Sequence, residues 1–205
     1  MTSRVIIGVI TRRVITYTRF MRWAPDARGR LQGAALELFS EQGYSATTVP
    51  QITARAGLTT RTFFRYFADK REVIFGGDEI PRRAARLIAE APEGLEPMDV
   101  IRLVLQRVAT EQFEEHRKQT AMVRAIIHSN DSLRDRDARK RDDLVRAARA
   151  AFIARGEAPL RATVVAELGI LVFQVALDEW AVNDEARSMT GVIDDVMTIV
   201  AGVSP

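Results

Sequence analysis

Seven side chains between positions 48 and 70 of this 205-residue sequence have the types and spacing to hold and read a polyanion. Thr48, Thr59 and Thr60 stand where helices are expected to open, followed by Arg61, Arg65, Tyr66 and Lys70. Hydroxyls, free amides and cations at helix starts are the groups that grip phosphate. An arginine fork can in addition donate twice to O6 and N7 of a guanine. Charge placement leans the same way: residues 1–75 carry a net +7 within a chain whose total is +3. Most of that excess is a tail signal, because Arg4, Arg12, Arg13, Arg19 and Arg22 stand with no acid in residues 1–24. The tail's order of charge and apolar patch does not suit a secretory signal. It reads as a basic, disordered extension.

The elements that would carry these side chains follow from periodicity. Leu31, Ala34, Ala35, Leu38 and Phe39 recur at helical spacing and end at Gly43. Thr48-Val49-Pro50-Gln51 fits a capping box, and Gly57 stops the short helix it opens. Thr59 can cap a third helix, from Thr60 to about Tyr66, with Phe63, Phe64 and Phe67 as its apolar contacts. Asp69-Lys70-Arg71-Glu72 is a further capping box, opening a helix through Val73, Ile74 and Phe75 that is interrupted or kinked at Gly76-Gly77 and Pro81. Two short helices joined by the tight Ala56-Gly57-Leu58-Thr59 turn are the layout of a helix-turn-helix.

Beyond it the chain reads as helices at roughly 98–116, 118–128, 133–155, 160–183 and 185–202, without any strand pattern. The fold class is all-α, an N-terminal helix-turn-helix three-helix domain followed by a C-terminal helical bundle. The expected divisions are 1–24, 25–72 and 73–205.

Several chemistries are excluded or unsupported. There is no cysteine, so disulfides and thiolate sites are absent, which is compatible with a reducing cytoplasm. No continuous apolar run approaches the length of a membrane span, so no membrane partner is expected. No catalytic motif is present, and nothing calls for a cofactor. His116 and His128 lie twelve apart without further ligands nearby, which predicts no metal site. The alternating charges from Arg134 to Asp143 read as a solvated helix face.

The string Ala35-Leu36-Glu37-Leu38-Phe39, Gly43-Tyr44, Thr47-Thr48-Val49, Ile52, Ala56-Gly57-Leu58-Thr59, Thr62-Phe63-Phe64-Arg65-Tyr66-Phe67 and Lys70 closely resembles the DNA-binding domain of TetR-family transcriptional regulators. The remaining residues resemble that family only in being helical and of suitable length. The resemblance implies a homodimer on a double-stranded operator with two half-sites, and a small-molecule effector that lowers DNA affinity. A DNA-binding activator without an effector stays as an alternative, and a helical enzyme or lipid carrier is a remote one.

On this reading Thr59, Thr60 and Arg61 form the N-terminus of a recognition helix, with Arg61 either reading guanine or only neutralising phosphate. Thr48 accepts internally while its amides face phosphate, and Lys70 clamps the backbone. Phe64 stands where the family usually has a tyrosine, so Arg65 or Tyr66 would replace the lost hydroxyl. The pocket candidates are Met98, Ile101, Leu105, Met122, Ile126, Phe152 and Phe173 as walls, with His116, His128 or Gln174 to orient a ligand. The last two helices are expected to pair with a second copy. The fourth helix, soft at Gly76-Gly77 and Pro81, is expected to couple ligand to DNA.

Overall fold

A computed structural model describes residues 27–75, 79–182 and 187–203. The basic tail and the Gly76-Gly77 pair lie outside the described residues. Ten α-helices and no strand occur among the described residues: α1 (Ala27–Gln42), α2 (Val49–Arg55), α3 (Thr60–Tyr66), α4 (Glu72–Phe75), α5 (Glu79–Ala89), α6 (Pro97–Gln112), α7 (Arg117–His128), α8 (Asp131–Ala154), α9 (Pro159–Val182) and α10 (Met189–Val203). The helix expected over 98–116 stops sooner. It ends at Gln112 and passes into a 3₁₀ turn at Glu114–His116, which opens α7.

The first three helices pack as their apolar spacing dictates. Leu31, Ala34, Ala35, Leu38 and Phe39 of α1 are all buried, and Ile52 of α2 and Phe63 of α3 are fully enclosed against them. Phe67, Val73 and Phe75 complete that core. The capping box forms: Gln51 N donates to Thr48 Oγ1 at 3.4 Å, and Thr48 N donates to Gln51 Oε1 at 2.8 Å. Gly57 has φ +63°, the left-handed conformation the turn between α2 and α3 requires. Arg30 reaches from α1 to donate to Ala56 O, so its guanidinium fills the space beside Gly57.

A second core gathers Leu87 and Ile88 of α5, Val100, Ile101 and Val104 of α6, Phe152 of α8, Val172 and Trp180 of α9, and Ile193 of α10. Here α9 is the central helix. It is long and apolar enough by composition to cross a membrane. Its apolar surface is accounted for without one on one side, where Ala162, Val165, Ala166, Gly169, Val172, Ala176, Leu177, Trp180 and Ala181 are buried in the core. A Cβ on Gly169 would lie 2.6 Å from Ile101 Cδ1, which shows how closely α9 approaches α6.

The two cores meet at the corner between α7 and α8. Ile126, Ile127 and Leu133 belong to the first core, although sequence places them deep in the second half of the chain. Polar ties reinforce this seam. Asn130 caps α8 by accepting from Leu133 N, and its Nδ2 donates to Ser45 Oγ at 3.1 Å. Arg136 of α8 pairs with Glu72 of α4 at 2.5 Å. The charged run from Arg134 to Asp143 is therefore only partly a solvated face, since Arg136, Asp137 and Lys140 are turned inward.

Gly57→Ala is expected to destabilise the protein by about 1–2 kcal/mol, the cost of a left-handed alanine. It also crowds the Arg30 guanidinium. Urea unfolding of the two proteins measures the difference.

Candidate nucleic-acid interface

Helix α3 is seven residues long and buries only one of its side chains fully, that of Phe63. All the others except the half-buried Thr62 are open to solvent. Thr60, Arg61, Phe64, Arg65 and Tyr66 are exposed, with Phe64 open over 55% of its surface. Positions 60, 61, 64 and 65 share one helical face by their spacing. An exposed phenylalanine in that setting is an apolar contact held ready beside two cations. Arg65 donates from Nη2 to Tyr66 OH at 3.1 Å and lies 4.8 Å from the centre of that ring. Arg61 has no partner among the described residues, so its fork is free to donate outward.

The threonines are spent differently. Thr59 caps α3: its Oγ1 accepts from Thr62 N at 3.2 Å and shares a bond with Thr62 Oγ1 at 3.0 Å. Thr48 is occupied by Gln51 in the same way. Both hydroxyls build the helix starts, leaving first-turn amides rather than hydroxyls as the outward donors. Thr60 remains exposed.

Lys70 lies before α4, not inside its first turn. The cap there is Asp69, whose Oδ1 accepts from Arg71 N at 2.7 Å and Glu72 N at 3.1 Å. Lys70 Nζ donates to Tyr44 O and Thr47 O, both at 2.7 Å, and stands 4.0 Å from the Tyr44 ring centre. Burial pushes its ammonium pKa down. Its charge is thus met by carbonyl dipoles inside the protein. The sequence argument that a cation at this position needs an external phosphate overlooked these carbonyls, which no local pattern reveals.

Sequence reading also missed the groups that hold the loop before α2. Thr47 is buried, and its hydroxyl donates to Gly43 O at 2.8 Å. Gln42 reaches Thr47 Oγ1 at 3.2 Å and Gln51 Oε1 at 3.3 Å. Arg55 forms a two-pronged bond to Glu41 at 2.9 and 2.8 Å, which lowers the Glu41 pKa and raises its own. The recognition surface is therefore clamped to α1 at both ends of α2.

A cavity of about 260 Å³ lies along the seam between the two cores. Of the pocket candidates, His116, Phe173 and Gln174 line it. Met98, Ile101, Leu105 and Phe152 pack in the second core instead, and Ile126 in the first. Met122 is exposed, and His128 Nε2 lies 3.3 Å from Arg124 Nη2. Helical periodicity marks an apolar face without telling wall from core. Arg124, only 7% exposed, lines the cavity and binds Asp178 Oδ1 at 2.6 Å.

A helix-turn-helix with one free cationic face, carried beneath a larger helical domain, defines a DNA-binding class of protein. Residues 33–75 match the model of the bacterial regulatory proteins of the tetR family. The chain is 42% identical over 50 residues to the HTH-type transcriptional regulator HbdR of Aromatoleum sp. (strain CIB), and 54% over 46 residues to TcmR of Streptomyces glaucescens. These alignments take in 24% and 22% of this chain, and only about a fifth of each relative, 22% and 20%. The fold likeness is wider. FadR of Bacillus subtilis in complex with stearoyl-CoA superposes with a TM-score of 0.56 at 17% identity, covering 83% of this chain and 96% of that one. The SmeT–triclosan complex gives 0.54 at 19% identity, covering 84% and 90%. The N-terminal domain is thus similar to the DNA-binding domain of tetR-family regulatory proteins, and the described helices share the fold of these solved structures.

Lys70→Ala removes two charge-assisted bonds to carbonyls and is expected to cost about 1–3 kcal/mol of stability. Chemical denaturation reads this directly. Unchanged stability would show that the ammonium does not hold the 44–47 loop.

Proposed function

We propose that the protein is a dimeric transcriptional repressor that leaves a palindromic operator when a small, largely apolar molecule binds it. The observation that carries this reading is the exposed face of α3, with Thr60, Arg61, Phe64 and Arg65 open to solvent on a scaffold whose Arg30, Arg55 and Lys70 are bonded internally. In this reading residues 25–72 read DNA in the cytoplasm, and residues 73–205 pair and sense. Arg61 takes the guanine edge, and its free fork supports that role over phosphate neutralisation alone. Arg65 and Tyr66 act as a coupled pair on the backbone. The amides behind Thr48 and Thr59 face phosphates.

Pairing is supported by the outer side of α9. Leu160, Val164, Leu171, Val175 and Val182 are exposed and follow one another at intervals of four and seven residues. That spacing lays them along one stripe, and α10 adds exposed Ile199. An apolar line of this length left to water is the mark of a partner surface. Two copies burying it would form a four-helix bundle from α9 and α10. Effector release is supported by the cavity and by fold neighbours solved in complex with stearoyl-CoA and with triclosan.

Retardation of the DNA upstream of the gene tests the reading. Arg61→Ala is expected to cost about 1–3 kcal/mol on the specific site and to relax preference at one base position per half-site. Equal losses on specific and random DNA would assign Arg61 to phosphate. Leu171→Asp is expected to yield monomers in sedimentation at micromolar concentration and to lose most operator affinity. A wild-type monomer under those conditions would overturn the dimer.

A further inference from the structure

Phe64 is the one large side chain of α3 that is open to solvent and carries no hydrogen-bonding atom. It is 55% exposed and belongs to neither core. Its ring stands edge-on to the buried ring of Phe63, with centres 5.4 Å apart and planes at 83°. That contact braces the ring and leaves apolar surface in water that burial against a partner would remove.

Its setting says what kind of partner fits. Arg61 precedes it by three positions and Thr60 by four, so the three share one face, and Thr60 adds a methyl to the apolar strip. Arg65 turns along the helix to Tyr66 OH at 3.1 Å and leaves the ring uncovered. Against a phosphate such a ring would strip water from an anion and return no hydrogen bond. Wedging between base steps, the other use of an aromatic ring on duplex DNA, belongs to proteins that enter the minor groove. A recognition helix lies in the major groove. The base edges there present donors, acceptors and one apolar group, the C5 methyl of thymine. Cytosine carries the same group when it is methylated at C5.

We propose that Phe64 is a specificity-determining residue that reads a pyrimidine C5 methyl in the major groove, on thymine or 5-methylcytosine alike. The proposal rests on the regulator reading above and adds a base contact to it. Side chains three positions apart on a helix stand about 5–6 Å apart, and successive bases about 3.4 Å. The methyl therefore lies within about two base pairs of the guanine taken by Arg61. Methylation of a cytosine at that position would strengthen a weak site without changing its sequence.

The test uses the full chain and the upstream DNA that it protects. Each thymine of a half-site, on either strand, is replaced in turn by deoxyuridine, which pairs identically and lacks only the methyl. Affinity is expected to fall about fourfold at one position per half-site, the worth of one buried methyl, and about fifteenfold with both half-sites changed. At that position a pair of guanine with 5-methylcytosine should bind about fourfold more tightly than one with cytosine. Phe64→Ala is expected to bind the thymine and deoxyuridine duplexes alike, whereas Phe64→Leu, which retains apolar surface, keeps part of the difference. Retarded DNA in which no deoxyuridine weakens binding would overturn the proposal and leave the regulator standing. A deoxyuridine effect that persists undiminished in Phe64→Ala would do the same, assigning the methyl to another side chain. Upstream DNA that the wild-type chain does not retard at all would overturn both.

Discussion

A seven-residue helix does not persist in water on its own, because nucleation costs more than so few internal hydrogen bonds return. The proposed reading surface on α3 therefore exists only as long as Phe63 stays buried. Phe63 is fully enclosed, with Phe67 and Phe64 at ring-centre distances of 5.4 Å on either side. Burial of one aromatic side chain contributes on the order of 2–3 kcal/mol. The rest of the N-terminal half serves that burial. Leu31, Leu38 and Ile52 supply the apolar walls, and Arg30, Arg55 and Lys70 tie the connecting segments so that α2 and α3 meet the core at fixed angles.

Those ties share a physical pattern. Each is a cation spent on a carbonyl or carboxylate belonging to the scaffold, not left for an outside anion. Arg30 satisfies the end of α2, Lys70 the loop before it, and Arg55 the acidic side of α1. What remains outward on α3 is correspondingly small: two arginines, a threonine, a tyrosine and an exposed phenylalanine. A surface with few free donors discriminates better than one covered in them, since each phosphate contact adds affinity for any sequence alike.

Much of this was legible in the residues. The capping box at Thr48–Gln51, the cap at Thr59, the turn glycine at 57 and the buried face of α1 all follow from spacing and local chemistry, and the structure shows each of them. Local signals of that kind act within four residues. The Lys70 bonds span 26 and 23 positions, Arg30 to Ala56 spans 26, and the insertion of Ile126, Ile127 and Leu133 into the first core spans more. No periodicity encodes such contacts. The same limit explains the pocket. Ile101 and Phe173 carry the same helical signature, yet one presses against Gly169 in the core and the other faces open space. Helix α9 is apolar for a different reason. Its uniform composition reflects two apolar faces, one packed inside and one presented outward.

The seam has an energetic consequence for regulation. Side chains that line a cavity between two packed cores have fewer partner atoms than those inside either core. That deficit sits where the two cores join, not in the centre of either. Each core is closed around fully buried side chains, Phe63 and Ile52 in one, Trp180 and Phe152 in the other. The interior of each therefore resists deformation, while their relative placement is the least costly thing to change. An occupant of the seam gains most by drawing the walls onto itself, and the walls include α1. Only the difference in its affinity for the two placements moves the equilibrium. A difference of about 1–3 kcal/mol, a few well-made contacts, shifts DNA affinity by about 5–150-fold. In a dimer paired through α9, α1 of each copy carries its own α3. In the proposed dimer a small turn of α1 about the seam would be multiplied by the distance to the dimer axis, and the two α3 helices would lose the spacing that successive grooves require.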